Sequence, residues 1–328
     1  MNQETKRQHY VPQAYLRKFG YQRKKDQFQV FLADKGRLNK PFPVNTSKIC
    51  IQTDLYSLTG ETEEERQAIE KFYDFEIETN YDRIYKILTD DSIRVIDDET
   101  KEAIVLTMIT LLFRVTNWIS SFNLFVNRIF TDRFATAKQM EKKYFYFEGK
   151  KIEISKKNVK ELIVEYEKKT REGQVVTQLV AALRLSKIRM KGNLGIVKVE
   201  HSSNFITSDN PVNLSRLGGG HVMPFDPDNL ISLPLNEKYK LTLYSNFDKE
   251  RPNFISRILH KGEMADREIL MNNFEQYQQA EKFIIGNKKE LTTFEDFLKR
   301  CKQPIEPSEE LKKRLEKMED LAKKLGLE

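Results

Sequence analysis

Ala103 to Ile119 reads AIVLTMITLLFRVTNWI, the chain's best candidate for a membrane span. A bilayer core needs ~20 consecutive apolar residues. Arg114 interrupts this run, and Lys101 and Glu102 stand just before it. The run therefore reads as the core helix of a soluble protein, inside a longer helix from about Asp98 to Lys138. Its first half is apolar nearly all round, which is the pattern of a helix enclosed by others.

The sequence on either side supports a helical core. From Glu63 to about Thr89, the residues Ile69, Phe72, Tyr73, Glu76, Ile77, Tyr81, Ile84 and Leu88 recur near the helical period. After a turn at Glu148-Gly149-Lys150, a third helical region runs from Ser155 to about Lys191. Toward the N-terminus, a short helix is expected between Pro12 and Gly20, with Tyr15, Leu16 and Phe19 on one side and Arg17 and Lys18 on the other. Gln27 to Ala33 (QFQVFLA) alternates as a strand. Asp34-Lys35-Gly36 supplies a turn, and Pro41 and Pro43 mark the return strand as an edge. Beyond residue 191 the pattern becomes β-rich. Gly195–Glu200, Asn204–Thr207, Leu230–Leu235 and Tyr239–Tyr244 read as strands, and Lys261 to Ile285 as a helix. These readings give an α+β fold: a mainly helical core with a small antiparallel sheet.

One domain over residues 1–300 is expected, built from a motif helix and hairpin (1–60), a helical core (61–191) and a β-rich part with a closing helix (192–300). A charged amphipathic tail helix follows at 301–328. There, Leu311, Leu315, Met318, Ala322 and Leu325 repeat with heptad-like spacing on a Lys/Glu background. That seam serves either a helix folded back on its own domain or one that associates with itself or a partner.

Bulk composition excludes several classes. The chain has 328 residues, 39% of them apolar and 11% aromatic, with 13 Gly and 10 Pro. It is neither collagenous nor disordered throughout. Cys50 and Cys301 are too distant in sequence to frame a disulfide scaffold or a zinc site. Two free thiols and an N-terminus without an apolar stretch suit the cytoplasm. The 56 Lys and Arg exceed the 49 Asp and Glu, a net charge of +7. The excess is local. Residues 1–26 hold seven basic side chains against two acidic, and residues 138–171 eleven against six. Such clusters permit a nucleic-acid partner or form solvated helix faces.

Familiar catalytic motifs are missing. Ser208-Asp209-Asn210 spells part of the penicillin-recognising serine signature, but no S-x-x-K or K-T-G accompanies it. There is no G-x-S-x-G and no phosphate-cradling glycine loop. No two of His9, His201, His221 and His260 are spaced to bind zinc on a helix. Arg216 and His221 have the spacing of a helical ribonuclease pair, but the glycines between them oppose a helix. Pro227-Asp228 with Glu237, Lys238 and Lys240 has the wrong spacing for a restriction-type nuclease.

What remains is Lys6-Arg7-Gln8-His9-Tyr10-Val11-Pro12-Gln13, followed by Tyr15-Leu16-Arg17 and Phe19. Further along come Asp54-Leu55-Tyr56, Ile69-Glu70 with Glu76, Arg114 at the end of the apolar helix, and Phe205-Ile206-Thr207-Ser208-Asp209-Asn210-Pro211-Val212. These strings resemble those of domain-of-unknown-function family 4238 over roughly residues 6–285. One departure is Asn117, where members often carry proline. The resemblance implies a mostly bacterial family and candidate positions, but no activity.

Two readings stand at each position. His9, beside the rigid start of a helix, is a general acid or base, or it simply bonds the incoming chain. Arg114 is a charge clamp, or a buried ion pair with Glu70 or Glu76. Asp209 and Asn210 orient a reacting group, or form an Asx turn before Pro211. Arg7, Gln13, Arg17 and Ser208 are the accompanying binding candidates. The Gly218–Gly220 loop is a flexible connection or an anion nest. The N-terminal segment is expected to pack on the β-rich part and bring His9 near Asp209.

The catalytic versions add up to a nucleic-acid-directed phosphodiester hydrolase, with a bacterial defence setting in view. The cofactor is open. A divalent metal is compatible, with Asp209 as its one candidate ligand. The other reading is a non-catalytic module that binds nucleic acid or protein.

Overall fold

The computed structural model describes residues 7–302 apart from 26, 155–157, 217–221 and 246–250, and beyond them only 313, 314, 317, 318 and 323. Lys6, the Gly218–Gly220 loop, His221, and Leu311, Leu315, Ala322 and Leu325 of the tail seam lie outside the described residues. Met318 is helical and exposed.

The first described elements are β1 (Arg7–His9) and α1 (Gln13–Leu16), which tightens into a 3-10 turn through Phe19. Tyr15, Leu16 and Phe19 are buried while Arg17 is exposed. Gly20 follows in extended backbone rather than as a left-handed helix stop. It is required by close approach: a Cβ there would stand 2.4 Å from the Gln29 carbonyl oxygen. Next come β2 (Tyr21–Lys24), β3 (Gln27–Asp34), β4 (Phe42–Asn45) and β5 (Ile51–Thr53). Among the described residues β4 pairs with β3 alone, an edge strand whose Pro43 lacks a donor, and β5 pairs with β1.

The helical core runs through α2 (Glu63–Arg66), α3 (Ala68–Phe72), a π-helical turn (Tyr73–Glu78) and α4 (Thr79–Thr89). Then come α5 (Asp98–Arg114) and α6 (Asn117–Gln139). The single helix expected here is thus two. Val115 is extended, with ψ at 153°. The Tyr56 hydroxyl donates to the Arg114 carbonyl at 2.7 Å, occupying an acceptor that a continuing helix would use. By length and composition alone, the stretch Asp98–Gln139 could cross a membrane, but 61% of its most apolar window is buried inside the fold. β6 (Tyr144–Phe147) and β7 (Lys150–Glu153) form a two-residue hairpin. Its turn residues Glu148 and Gly149 both have positive φ, 48° and 73°. The long α7 (Val159–Arg189) opens on a capping box of Asn158 and Glu161 and packs along α5 and α6.

The β-rich part holds β8 (Leu194–Glu200), β9 (Thr207–Ser208), β10 (Asn213–Arg216), β11 (Asn229–Pro234), β12 (Tyr239–Leu243) and β13 (Ile255–Lys261). Next are α8 (Gly262–Gln279), β14 (Phe283–Gly286) and α9 (Lys288–Lys302). One sheet runs β10-β11-β12-β8-β13, antiparallel except for the parallel β8–β13 pair. The other runs β2-β3-β14-β9. Helix takes about 50% and strand 23%, an α+β fold.

Residues 283–286 are a strand, not the end of the expected helix. Lying between β3 and β9, β14 welds the N-terminal hairpin to the β-rich part. The buried Tyr15 hydroxyl reinforces the joint, 2.6 Å from Thr207 Oγ1 and 2.9 Å from the Pro234 carbonyl.

Candidate functional site

Two polar clusters flank the His9–Tyr10 dipeptide. The first gathers on Arg114. This arginine ends α5, where a helix C-terminus favours a cation, and its side chain is 1% exposed. Its Nη2 donates to the His9 carbonyl at 2.5 Å and to Glu78 Oε1 at 3.0 Å. The guanidinium lies 4.4 Å from the Tyr73 ring centroid and 5.6 Å from that of Tyr56. The ion-pair partner is therefore Glu78, not Glu70 or Glu76. The π-helical turn is the reason. Tyr73 and Ile77 stay buried as an α-helical count from Ile69 expects, but the wider π turn leaves Glu76 exposed and brings Glu78 to the Arg114 side.

Glu70 remains close enough to feel Arg114. Burial raises its carboxyl to about 7, with Asp74 and Glu78 adding to the rise and Arg114 opposing it. His9 moves the other way. Burial lowers its imidazole to about 4 against a hydrogen bond with the Thr46 backbone, and Arg114, Arg7 and Arg17 lower it further. At neutral pH the ring is uncharged. Four buried atoms in this cluster have no hydrogen-bond partner among the described residues: His9 Nε2, Glu70 Oε2, and Arg114 Nε and Nη1. Such groups are costly unless water or a ligand meets them.

The opposed shifts have a measurable consequence. Glu70 holds its proton more tightly folded, at about 7, than at its ordinary 4.5. The stability it adds is full below pH 4.5 and fades as pH rises through 7. His9 holds its proton less tightly, at about 4 against 6.5, so its contribution is full above 6.5 and fades as pH falls through 4. The two slopes oppose each other between these limits. In urea titrations at stepped pH, Glu70→Gln should steepen the loss of stability on acidification below pH 6.5. His9→Gln should steepen the loss as pH rises from 4.5 to 7. Wild-type slopes in both variants would refute these assignments.

The second cluster is a frame. Asp209 is buried, and its carboxylate accepts from the backbone N–H groups of Glu281, Lys282 and Phe283 at 2.9, 2.8 and 3.1 Å. Burial raises its carboxyl, partly offset by those bonds. Ser208 Oγ donates to Gln276 Oε1 at 2.7 Å, and Asn210 Nδ2 to the Gln279 carbonyl at 3.1 Å. Gln276 and Gln279 project from α8 together with Asn272 and Asn273, which bond the Ile206 backbone. These amides, buried except for the half-buried Gln279, are signalled in the sequence by polar residues at helical spacing in MNNFEQYQQ. Ser208, Asp209 and Asn210 thus lock β9 and β14 onto α8.

Asp209 acts electrostatically on Tyr10 and Cys50, while Arg114 reaches His9. Arg7 and Arg17 stand exposed within electrostatic range of His9, and Gln13 is half-buried at the start of α1. Among the described residues, no three His, Cys, Asp or Glu side chains gather to hold a metal.

The family model described as Protein of unknown function (DUF4238) matches residues 7–290. The chain belongs to DUF4238. No curated protein and no solved structure matches it. The DUF4238 match spans both polar clusters.

Proposed function

We propose that this chain hydrolyses phosphodiester bonds in nucleic acid, with His9 as general base and Glu70 as general acid. The observation that carries the reading is the set of unpartnered buried atoms on His9 and Glu70, both coupled to one guanidinium. A neutral imidazole takes a proton from water as its oxygen attacks phosphorus. A carboxyl titrating near 7 returns a proton to the leaving oxygen as the P–O bond breaks. Exposed Arg7 and Arg17 draw the phosphate in. Arg114 fixes the His9 backbone and supplies positive charge beside both groups. Asp209 and Asn210 serve as frame.

Purified protein and His9→Ala are incubated with single-stranded and duplex DNA and RNA, with and without Mg²⁺ or Mn²⁺. The wild type should cleave. His9→Ala should be slower by about 100-fold or more, with stability within about 1 kcal/mol of wild type. Equal rates, or no cleavage by the wild type in any condition, would sink the proposal.

The enclosure of Arg114 favours a second reading, a binding module without catalysis. The chemistry facing solvent is then the exposed basic set of Arg7, Arg17, Arg23, Lys24 and Lys25. It predicts nucleic-acid binding that weakens steeply with salt and no cleavage at all.

A further inference from the structure

A cavity of about 570 Å³ opens between α6 and α7, and none of His9, Glu70 and Arg114 lines it. Its size is that of a small-molecule site. Phe113, Trp118, Phe122 and Tyr166 give it aromatic walls. Phe113 and Trp118 stack on each other at 5.3 Å between centroids. The Trp118 indole N–H donates to the Leu112 carbonyl at 2.7 Å, which fixes the ring in place.

Two features go beyond an ordinary gap between helices. Gln174, in the cavity wall, uses its amide nitrogen on Asn123 and Thr170, yet its Oε1 is buried with no partner among the described residues. Gly173, beside it inside α7, has nothing within 4 Å of where a Cβ would stand. Gly173 is exposed, so the missing side chain leaves the cavity mouth open on this side.

Flat aromatic walls select a planar ring, and an unpartnered buried acceptor selects a ring that carries an N–H donor. An alkyl chain would leave Gln174 Oε1 unsatisfied. Lys169 is exposed at the rim, where it suits a phosphate. We infer that this cavity binds a nucleobase, with the ring against Trp118 and Phe122 and an exocyclic N–H donating to Gln174 Oε1. The base belongs either to a free nucleotide or to an unpaired nucleotide of a strand.

Trp118 is the chain's single tryptophan, so its emission reports the site directly. AMP, GMP, CMP and UMP are titrated in turn, followed by short single-stranded RNA and DNA. Saturable quenching by at least one nucleotide or strand is expected, and none by ribose 5-phosphate. Quenching by mononucleotides identifies a free ligand, and quenching by strands alone identifies a flipped base. Gln174→Met should weaken binding about tenfold, the effect of one lost buried hydrogen bond, with the melting temperature lowered by no more than a few degrees for the lost bonds to Asn123 and Thr170. Phe122→Ala, which removes a wall ring without touching Gln174, should weaken it comparably. No saturable quenching by any nucleotide or strand overturns the inference, as does quenching by dodecanoate alone. Because binding is read without cleavage, the inference can fail while the hydrolase reading stands, and the reverse.

Discussion

Arg114→Met should lower the unfolding free energy by about 3–5 kcal/mol, because it removes one partner of a buried ion pair. The guanidinium joins α5 to β1 through the His9 carbonyl and to the π-helical turn through Glu78, and it stacks on Tyr73. Methionine fills much of the volume but offers no donor. The His9 carbonyl and the Glu78 carboxylate then lose their shared partner, and the side chains around Tyr73 lose a cation. Lysine restores a charge without the planar fork, so Arg114→Lys should recover less than half of the loss. Glu78→Gln should cost far less, about 1 kcal/mol, since the Glu78 side chain is 24% exposed and water meets what remains of it. Urea denaturation of the three variants gives the ranking. Equal losses for Arg114→Met and Glu78→Gln would show that the ion pair alone matters. A loss below about 1 kcal/mol for Arg114→Met would show that the arginine joins nothing.

Periodicity reads out most of the elements and misses those decided at long range. The helices around Ile84, Met108 and Leu185 and the strands around Ile196, Ile231 and Leu241 follow from the spacing of apolar residues. Three features do not. The break at Val115 depends on Tyr56, nearly sixty residues upstream, taking the Arg114 carbonyl. Glu78 replaces Glu76 at Arg114 because the wider π turn brings it to that side, and an α-helical count cannot show that. Phe283–Gly286 is apolar enough to end a helix or to form a strand. Pairing with β3 and β9 decides for the strand. The candidate site is legible to the same degree. The string around His9 lies where the two polar clusters meet, and Arg114 reaches its carbonyl. From the sequence, Glu70 is only a candidate ion-pair partner of Arg114; its raised carboxyl comes from burial, which no local pattern reveals. The Ser208–Asn210 string draws the eye because it is polar and compact, yet its partners on α8 and β14 arrive about seventy residues later.

That frame supports the second large effect. Asp209→Ala should cost about 3–5 kcal/mol, from three backbone donors left without an acceptor and partly reached by water. The three N–H groups of Glu281, Lys282 and Phe283 lead into β14, the strand that joins β3 to β9, so the damage falls on the seam between the two halves of the chain. Charge is not the main ingredient. Burial raises the Asp209 carboxyl even though three N–H groups point at it, so the ionised form is held at a net penalty. A neutral acceptor of the same shape should therefore do nearly as well. Asp209→Asn keeps one oxygen for two of the three donors and avoids the penalty of a buried charge, and its cost should be about 1–2 kcal/mol. Hydrogen exchange locates the effect: the amides of residues 281–283 should lose protection in Asp209→Ala, while those of α5 keep theirs. Activity separates frame from catalysis. If Asp209 only holds the seam, Asp209→Asn retains whatever cleavage the wild type shows, at a temperature where both are folded. A collapse of cleavage in that variant with the fold intact would move Asp209 out of the frame and into the reaction.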